Sequence, residues 1–503
     1  MNDSPASRRS WLMSQVVDLV NEVGSIYRGS PWEPHVTDIA NRLHEPLRVA
    51  IAGKVKAGKS TLLNALVGDE LAPTDAGECT RVVTWYRHGI VYKVSMATRD
   101  GAGLRQVPFT RDSGAIDVQL GDVTADQIES LVVEWPAPAL TSMTLIDTPG
   151  IGSLSTDISA RSHDFLTPDD EQTTPSDAVV YLLRHLHAND VQFLHSFHEE
   201  EYAQPSPVNC VAVLSRADEV AGGRIDAMVS ASKIAQRYAA DTRLRRLVQT
   251  VVPVAGLLAQ AGANLREIEF RRLRHLASLD PSQTEMLLLS ADRFATSPDD
   301  VGLAPNERRQ LLDRLGIYGV KLSLEMIRRD YATTASTLAD ALVNESGIDE
   351  LRHVLLTLFS SRRDTLKARS ALLAVERLAH AAPNNRTPEI VSRIEQIMSG
   401  AHEFAELRLL NALRGGEIEL RQEDQVEIET LLGSRGTSLG ARLGLDEGGS
   451  AEEIRAAYFE ALSRWRLRAE NPVSSLAVST ASRVMVRSYE GLYQQIADLA
   501  PAT

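Results

Sequence analysis

The stretch LRVAIAGKVKAGKSTLLNALVG, from Leu47 to Gly68, constrains the fold more than any other part of the chain. An apolar run, a turn of the form GxxxxGKS and a run of helix-forming residues make a strand–loop–helix. A loop of this kind wraps backbone N–H groups around phosphates. Gly53 and Gly58 permit the tight path, and Lys54, Val55, Lys56 and Ala57 fill the turn between them. Lys59 brings a cation to the β- and γ-phosphates, Ser60 offers a hydroxyl to Mg2+, and Thr61 continues into the helix. A nucleoside triphosphate is therefore the expected ligand.

Which base it carries is decided elsewhere. IDTPG ends an apolar run at Ile146–Gly150, so Asp147 is expected to hold a magnesium-bound water and Gly150 to sense the γ-phosphate. ECTR offers Thr80, twenty residues after Ser60, as a mobile magnesium ligand. VAVLSRADE ends another apolar run where GTPases carry N/T-K-x-D. There Asp218 accepts the two donors on the guanine edge, a charged pairing that adenine cannot make. Ser215 and Arg216 replace the usual Asn or Thr and Lys, and the guanidinium plane of Arg216 can stack on the base. VVPVAG then supplies backbone at Ala255 near the base. The order and spacing of these short motifs point to GTP.

Apolar strand-like runs alternate with helical stretches from Leu47 to about Gly262, the pattern of an α/β domain. DAVVYLLR and NCVAVLSR are the runs expected of parallel strands buried on both faces. Beyond Gly262 the apolar spacing predicts helices over 266–279, 284–294, 306–315 and 318–342, and a closing helix in SGIDELRHVLLTLF with Ser346 as its cap. Further helices are expected over 362–381, 388–413, 418–432, 450–469 and 473–498, and two short ones over 8–28 and 35–45. The fold expected is an α/β P-loop GTPase domain (46–361) plus an elongated α-helical bundle, a neck and trunk (362–503). Residues 1–45 are expected to pack back onto that bundle.

Over 503 residues the formal net charge is -14, which argues against a general grip on nucleic acid. Cys79 and Cys210 stand far apart and fit a reducing compartment better than a disulfide framework. No run approaches the length of apolar sequence that a membrane span needs, so any membrane contact is expected to be peripheral. Residues 361–503 hold 18 Lys or Arg against 20 Asp or Glu, so the acidity lies mainly in the first 360 residues.

GKVKAGKSTLLNALVG, APTDAGECTRVVTWYRHG, DTPG and SRADE together resemble the bacterial dynamin-like GTPases, and among them the isoniazid-inducible mycobacterial branch. The likeness extends through SGIDELR to ARLGLD and WRLRAENP. It implies a GTPase head on a helical neck and trunk and self-association through the heads. It also implies peripheral remodelling of a phospholipid membrane, by fission or fusion, from the cytoplasmic face of the plasma membrane. Dynamin-type enzymes carry a Ser where this chain has Lys56, and guanylate-binding relatives carry an Arg there as an internal finger. Lys56 is thus a candidate to meet transition-state charge, with Arg81 as a second. After DTPG come Ile151 and Gly152, with no Gln to orient water, so slow intrinsic turnover stimulated by assembly is expected. Because bacterial dynamin-like proteins often come in pairs, the alternative is a nucleotide-regulated scaffold for a larger dynamin-like partner.

The Gly-rich stretch GSRGTSLGARLGLDEGGS, 433–450, is long for a connection between two helices and is a candidate for lipid contact, against the alternative that its leucines pack under the loop onto the bundle. Leu439, Leu443 and Leu445 could insert, with Arg435 and Arg442 on lipid phosphates. The turn at 414–417 is a competing tip but carries no apolar side chain.

Overall fold

A computed structural model describes residues 5–72, 82–100, 103–112, 115–124, 126–149, 176–187, 190–192, 194, 209–298, 301–359, 362–436, 438–445 and 449–499. Its strands are β1 (Leu47–Gly53), β2 (Val83–His88), β3 (Lys93–Thr98), β4 (Leu104–Gln106), β5 (Phe109–Asp112), β6 (Ala115–Val118), β7 (Ile128–Trp135), β8 (Met143–Asp147), β9 (Ala178–Leu183), β10 (Cys210–Ser215) and β11 (Val251–Val254). Nine of the described strands form one sheet in the order β11-β10-β9-β1-β8-β2-β7-β3-β4, and β5 and β6 pair as a separate hairpin.

From β11 to β8 every neighbour runs parallel, with Val49 opposite both Leu145 and Ala178. β2 then pairs antiparallel with β8, so the other half of the sheet is mixed. Successive side chains on a strand point to opposite faces. Val49, Ile51, Leu145, Val180 and Leu182 accordingly join one core with the helices Lys59–Val67 and Ile348–Leu358. Ala50, Ala52, Ile146, Val179 and Tyr181 join a second core on the opposite face with the helix Ala227–Ala240. Each residue of β9 and β10 is buried, which is why neither run alternates with polar residues.

The sheet's loops are covered by a helical layer between β11 and the Ile348–Leu358 helix. Phe270, Leu273, Leu311, Leu315, Tyr318, Leu338 and Leu342 pack there with Ala227, Ala255 and Leu258. The helix Pro305–Arg328 runs through the break expected near Leu315. Gly316 (φ 64, ψ 173) kinks it there without ending it. The expected run to residue 342 instead divides at the positive φ of Asp330, and Thr334 caps a new helix, Ala335–Glu345, by accepting from Thr337 N at 3.2 Å.

Beyond residue 361 the described chain is helical. A single core joins Val16, Leu19 and Val23 of the helix Pro5–Ile26 and Ile39 of Glu33–His44 to Leu372 and Val375 of Arg363–Ala381, and onward to Trp465 and Met485. The expected helix 388–413 is two, Thr387–Gly400 and His402–Gly415, because Ala401 is extended (ψ 127). No helix among the described residues is long and apolar enough to cross a membrane.

The nucleotide-binding sheet meets this bundle in a buried ionic joint. The Asp177 carboxylate, 1 % exposed, accepts from Arg48 N at 2.9 Å and lies 3.5 Å from both Arg42 Nη2 and Lys367 Nζ. Lys367 Nζ also donates to Arg42 O at 2.5 Å. Asp177 leads into β9, Arg48 is in β1, Arg42 is on Glu33–His44 and Lys367 is on Arg363–Ala381.

Candidate active site

The turn after β1 is shaped by its contact with β9. Gly53 has φ +150, and a Cβ there would stand 2.7 Å from Leu182 O, so no larger residue fits. Lys56 takes the left-handed region (φ 62) at the exposed apex. Lys59, at the start of its helix, folds back so that Nζ donates to Gly53 O at 3.1 Å and Lys54 O at 3.4 Å. Burial lowers the Lys59 pKa, and Asp147 opposes that shift. Thr61 lines the adjoining pocket, and Val55 is exposed.

Ser60 Oγ donates to Asp147 Oδ2 at 3.2 Å. Asp147 Oδ1 is buried without a hydrogen-bond partner. Burial pushes the Asp147 carboxyl up to about 6, against the pull of Lys59 and the Ser60 hydroxyl. A buried carboxylate with one oxygen on a serine hydroxyl and one unsatisfied is a donor set that suits a hard divalent cation. Thr80, Arg81 and Gly150, as well as Cys79, Ile151 and Gly152, lie outside the described residues.

On the other side of the phosphate loop is a cavity of about 170 Å³, lined among others by Ala57, Ser215, Arg216, Asp218, Val254 and Leu257. The Asp218 carboxyl is pushed up to about 6 by burial and by Glu219, against its own backbone N–H, Arg216 and Arg184. Arg216 has φ 52, and its Nη1 donates to Glu219 Oε1 at 2.9 Å. Ser215 Oγ is turned away to Leu183 O at 3.3 Å. Ala255 is fully buried, its N–H donating to Ser346 O at 2.9 Å. Ser346 sits one residue before the cap of its helix, which is Gly347.

Several contributors have no motif in the sequence. Asn64 accepts from Leu71 N at 2.9 Å and Ala72 N at 2.7 Å, fixing where the chain departs toward Thr80. Glu219 gathers Arg216 and Arg184 beside the base pocket. A Cβ on Gly316 would be 3.7 Å from Asp218 Oδ2, so the kink of the covering helix abuts that carboxylate. Glu219 reaches Arg184 from 35 positions away and Gly316 meets Asp218 from another element, and such contacts leave no periodic trace.

The candidate stretch for lipid contact is folded against the bundle. Leu439 and Leu443 pack against the helical core, and Leu445 is half-buried. Arg442 Nε donates to Leu431 O at 2.7 Å, while Arg435 is exposed. Arg362 Nη2 holds Leu432 O at 2.5 Å, and a Cβ on Gly436 would lie 4.0 Å from Thr357 of the Ile348–Leu358 helix. Arg414 in the competing turn donates to Val248 O at 3.2 Å and Gln249 O at 2.7 Å. Both stretches therefore sit where the bundle meets the nucleotide-binding domain. The leucines follow the alternative, packing under the loop, where apolar burial is satisfied within the chain.

The fold and site are those of a GTP-hydrolysing enzyme of the P-loop class: a phosphate loop, an acid at the end of β8 and a cavity with Asp218 in its wall. The chain belongs to the dynamin family, whose model matches residues 49–196. The isoniazid-induced protein IniC of Mycobacterium tuberculosis is 39% identical over 473 residues, covering 93% of this chain and 95% of that protein. A bacterial dynamin-like protein of Nostoc punctiforme is 31% identical over 115 residues, 21% of this chain and 16% of that one. Among solved structures, a chain of an oligomerised bacterial dynamin pair aligns over 98% of this chain and 76% of its own at 12% identity. Its TM-score of 0.29 is too low to build on.

Proposed function

We propose that this chain couples GTP hydrolysis to peripheral membrane remodelling, as a dynamin-like protein that assembles through its GTPase domains. The observation that carries the reading is the buried joint at Asp177. One carboxylate holds the start of β1, the strand that delivers the phosphate loop, together with one helix from each end of the chain that builds the bundle. A shift of β1 or β9 on nucleotide exchange must move that carboxylate. The paired cations are then carried along or lose their buried carboxylate, which costs several kcal/mol. The bundle is thereby set by the nucleotide state.

Ser60 and Asp147, with Thr80, would hold Mg2+, which when bound supplies positive charge to the phosphates as negative charge develops on them. Lys59 grips the β- and γ-phosphates, and Asp218 selects guanine. Lys56, exposed at the loop apex, is free to meet the transferring phosphoryl group or a facing copy of the chain.

For lipid contact the favoured place is the turn between the helices Ala451–Glu470 and Leu476–Glu490. Leu467, Val473 and Leu476 are 73%, 88% and 80% exposed within ten residues of one another. Burying one such side chain in hydrocarbon contributes about 2 kcal/mol, so three give reversible attachment. Sedimentation with anionic liposomes tests this. Wild-type protein should pellet with them, and Val473→Asp combined with Leu476→Asp should reduce pelleting about tenfold while basal GTP turnover stays unchanged. Wild-type protein that pellets only when a larger dynamin-like partner is added would support the scaffold reading instead.

A further inference from the structure

The Asp190 carboxylate has no part in the nucleotide chemistry, yet three donors hold it beside the phosphate loop. It lies just beyond β9, and its side chain is 1 % exposed. Tyr181 OH donates to Oδ1 at 2.9 Å, and His187 N donates to Oδ2 at 3.0 Å. The third donor is Lys54 Nζ, 3.0 Å from Oδ2 and 136 positions away in the chain. Lys54 is the second residue of the phosphate loop. Its carbonyl accepts from Ala57 N at 3.1 Å and from Lys59 Nζ at 3.4 Å. The chain of contacts therefore runs from the buried carboxylate through the Lys54 side chain to the backbone that holds Lys59.

We infer that Asp190 and Lys54 form a positioning pair that pre-organises the phosphate loop for GTP from the segment following β9. The wall side of the pair cannot move. Asp190 is fixed by a buried phenol and a backbone amide, and Gly53 is already in contact with β9 at Leu182. The loop side is half-exposed, with an exposed Val55 between Lys54 and Lys56, and the Lys54 side chain ties it to that wall. A loop fixed before binding does not spend affinity on ordering itself, so the pair acts on GTP binding and leaves the chemical step alone.

The test is a double-mutant cycle on GTP hydrolysis, with KM and kcat measured separately and the unfolding midpoint recorded for each variant. Asp190→Asn and Lys54→Met should each raise KM about tenfold with kcat within twofold of wild type. The combined variant should be no worse than either alone, and Lys54→Arg should restore most of the loss. A purely structural Asp190 would lower the midpoint of its own variants and leave Lys54→Met at wild-type KM. That result overturns the proposal, as does a combined variant whose loss is the product of the two single losses. Should Asp190→Asn fail to fold, Lys54→Met and Lys54→Arg alone decide, because Lys54 lies at the surface end of the pair.

Discussion

Asp218 and Asp147 are both carboxyls that burial pushes up to about 6, and the sign of that shift has two consequences. Without ligand, an acid whose folded pKa exceeds its ordinary 3.8 contributes stability that is full below pH 4 and lost as pH rises through 6. On the proposed function GTP with Mg2+ reverses the preference, because a guanine edge on Asp218 and a metal beside Asp147 both require the ionised form. Binding GTP thus releases protons around pH 6, and affinity should weaken between about tenfold and a hundredfold from pH 7 to pH 5. Titration calorimetry in buffers of different ionisation heat reads both the affinity and the protons released. A flat profile would contradict the burial of these two acids. Asp218→Asn should additionally move preference from GTP toward XTP, read as a reversed ratio of the two kcat/KM values. At this scale the sequence was generous where one short segment carries the local geometry: the tight turn from Gly53 to Ser60 and the strand ends that place Asp147 and Asp218 were legible. Asp190 was not, since its meaning lies in Lys54, and no local pattern joins positions 136 apart.

Among the elements, the joint between sheet and bundle makes the sharpest stability prediction. Asp177→Ala strips two buried cations of their carboxylate and should lower the unfolding free energy by about 3 kcal/mol or more. Lys367→Met removes a cation whose pKa burial already lowers, and leaves Asp177 with Arg42 and the Arg48 amide. It should cost less than about 1 kcal/mol. Urea unfolding separates the two, and equal losses would mean that the joint is mere packing. Strands were readable by their apolar runs, β9 and β10 most of all, but β4 to β6 were missed. β4 is three exposed residues, Leu104, Arg105 and Gln106, and carries no apolar signal. Helix ends were misread where a single residue decides. Gly316 kinks without terminating, Ala401 terminates without being Gly or Pro, and Thr334 caps a helix inside an unbroken apolar rhythm. Tertiary packing settles such cases, and periodicity alone does not.

Taken whole, the molecule brings its two ends together. Helices before β1 and after residue 361 share one core, and the ionic joint at Asp177 ties both to the start of β1. Which apolar side chains the bundle leaves exposed could not be read from composition. A Gly-rich stretch with three leucines and a helix–helix turn with three exposed apolar residues look alike in sequence, and differ only in which is folded under. The most direct measurement is GTP turnover per molecule as anionic liposomes are titrated in at fixed protein concentration. Wild-type turnover should be slow alone and rise about tenfold or more with liposomes. The Val473→Asp, Leu476→Asp protein should keep the slow rate and lose the rise, and Lys59→Ala should show neither. Turnover that is the same with and without liposomes, at every protein concentration, would contradict the coupling of hydrolysis to membrane work.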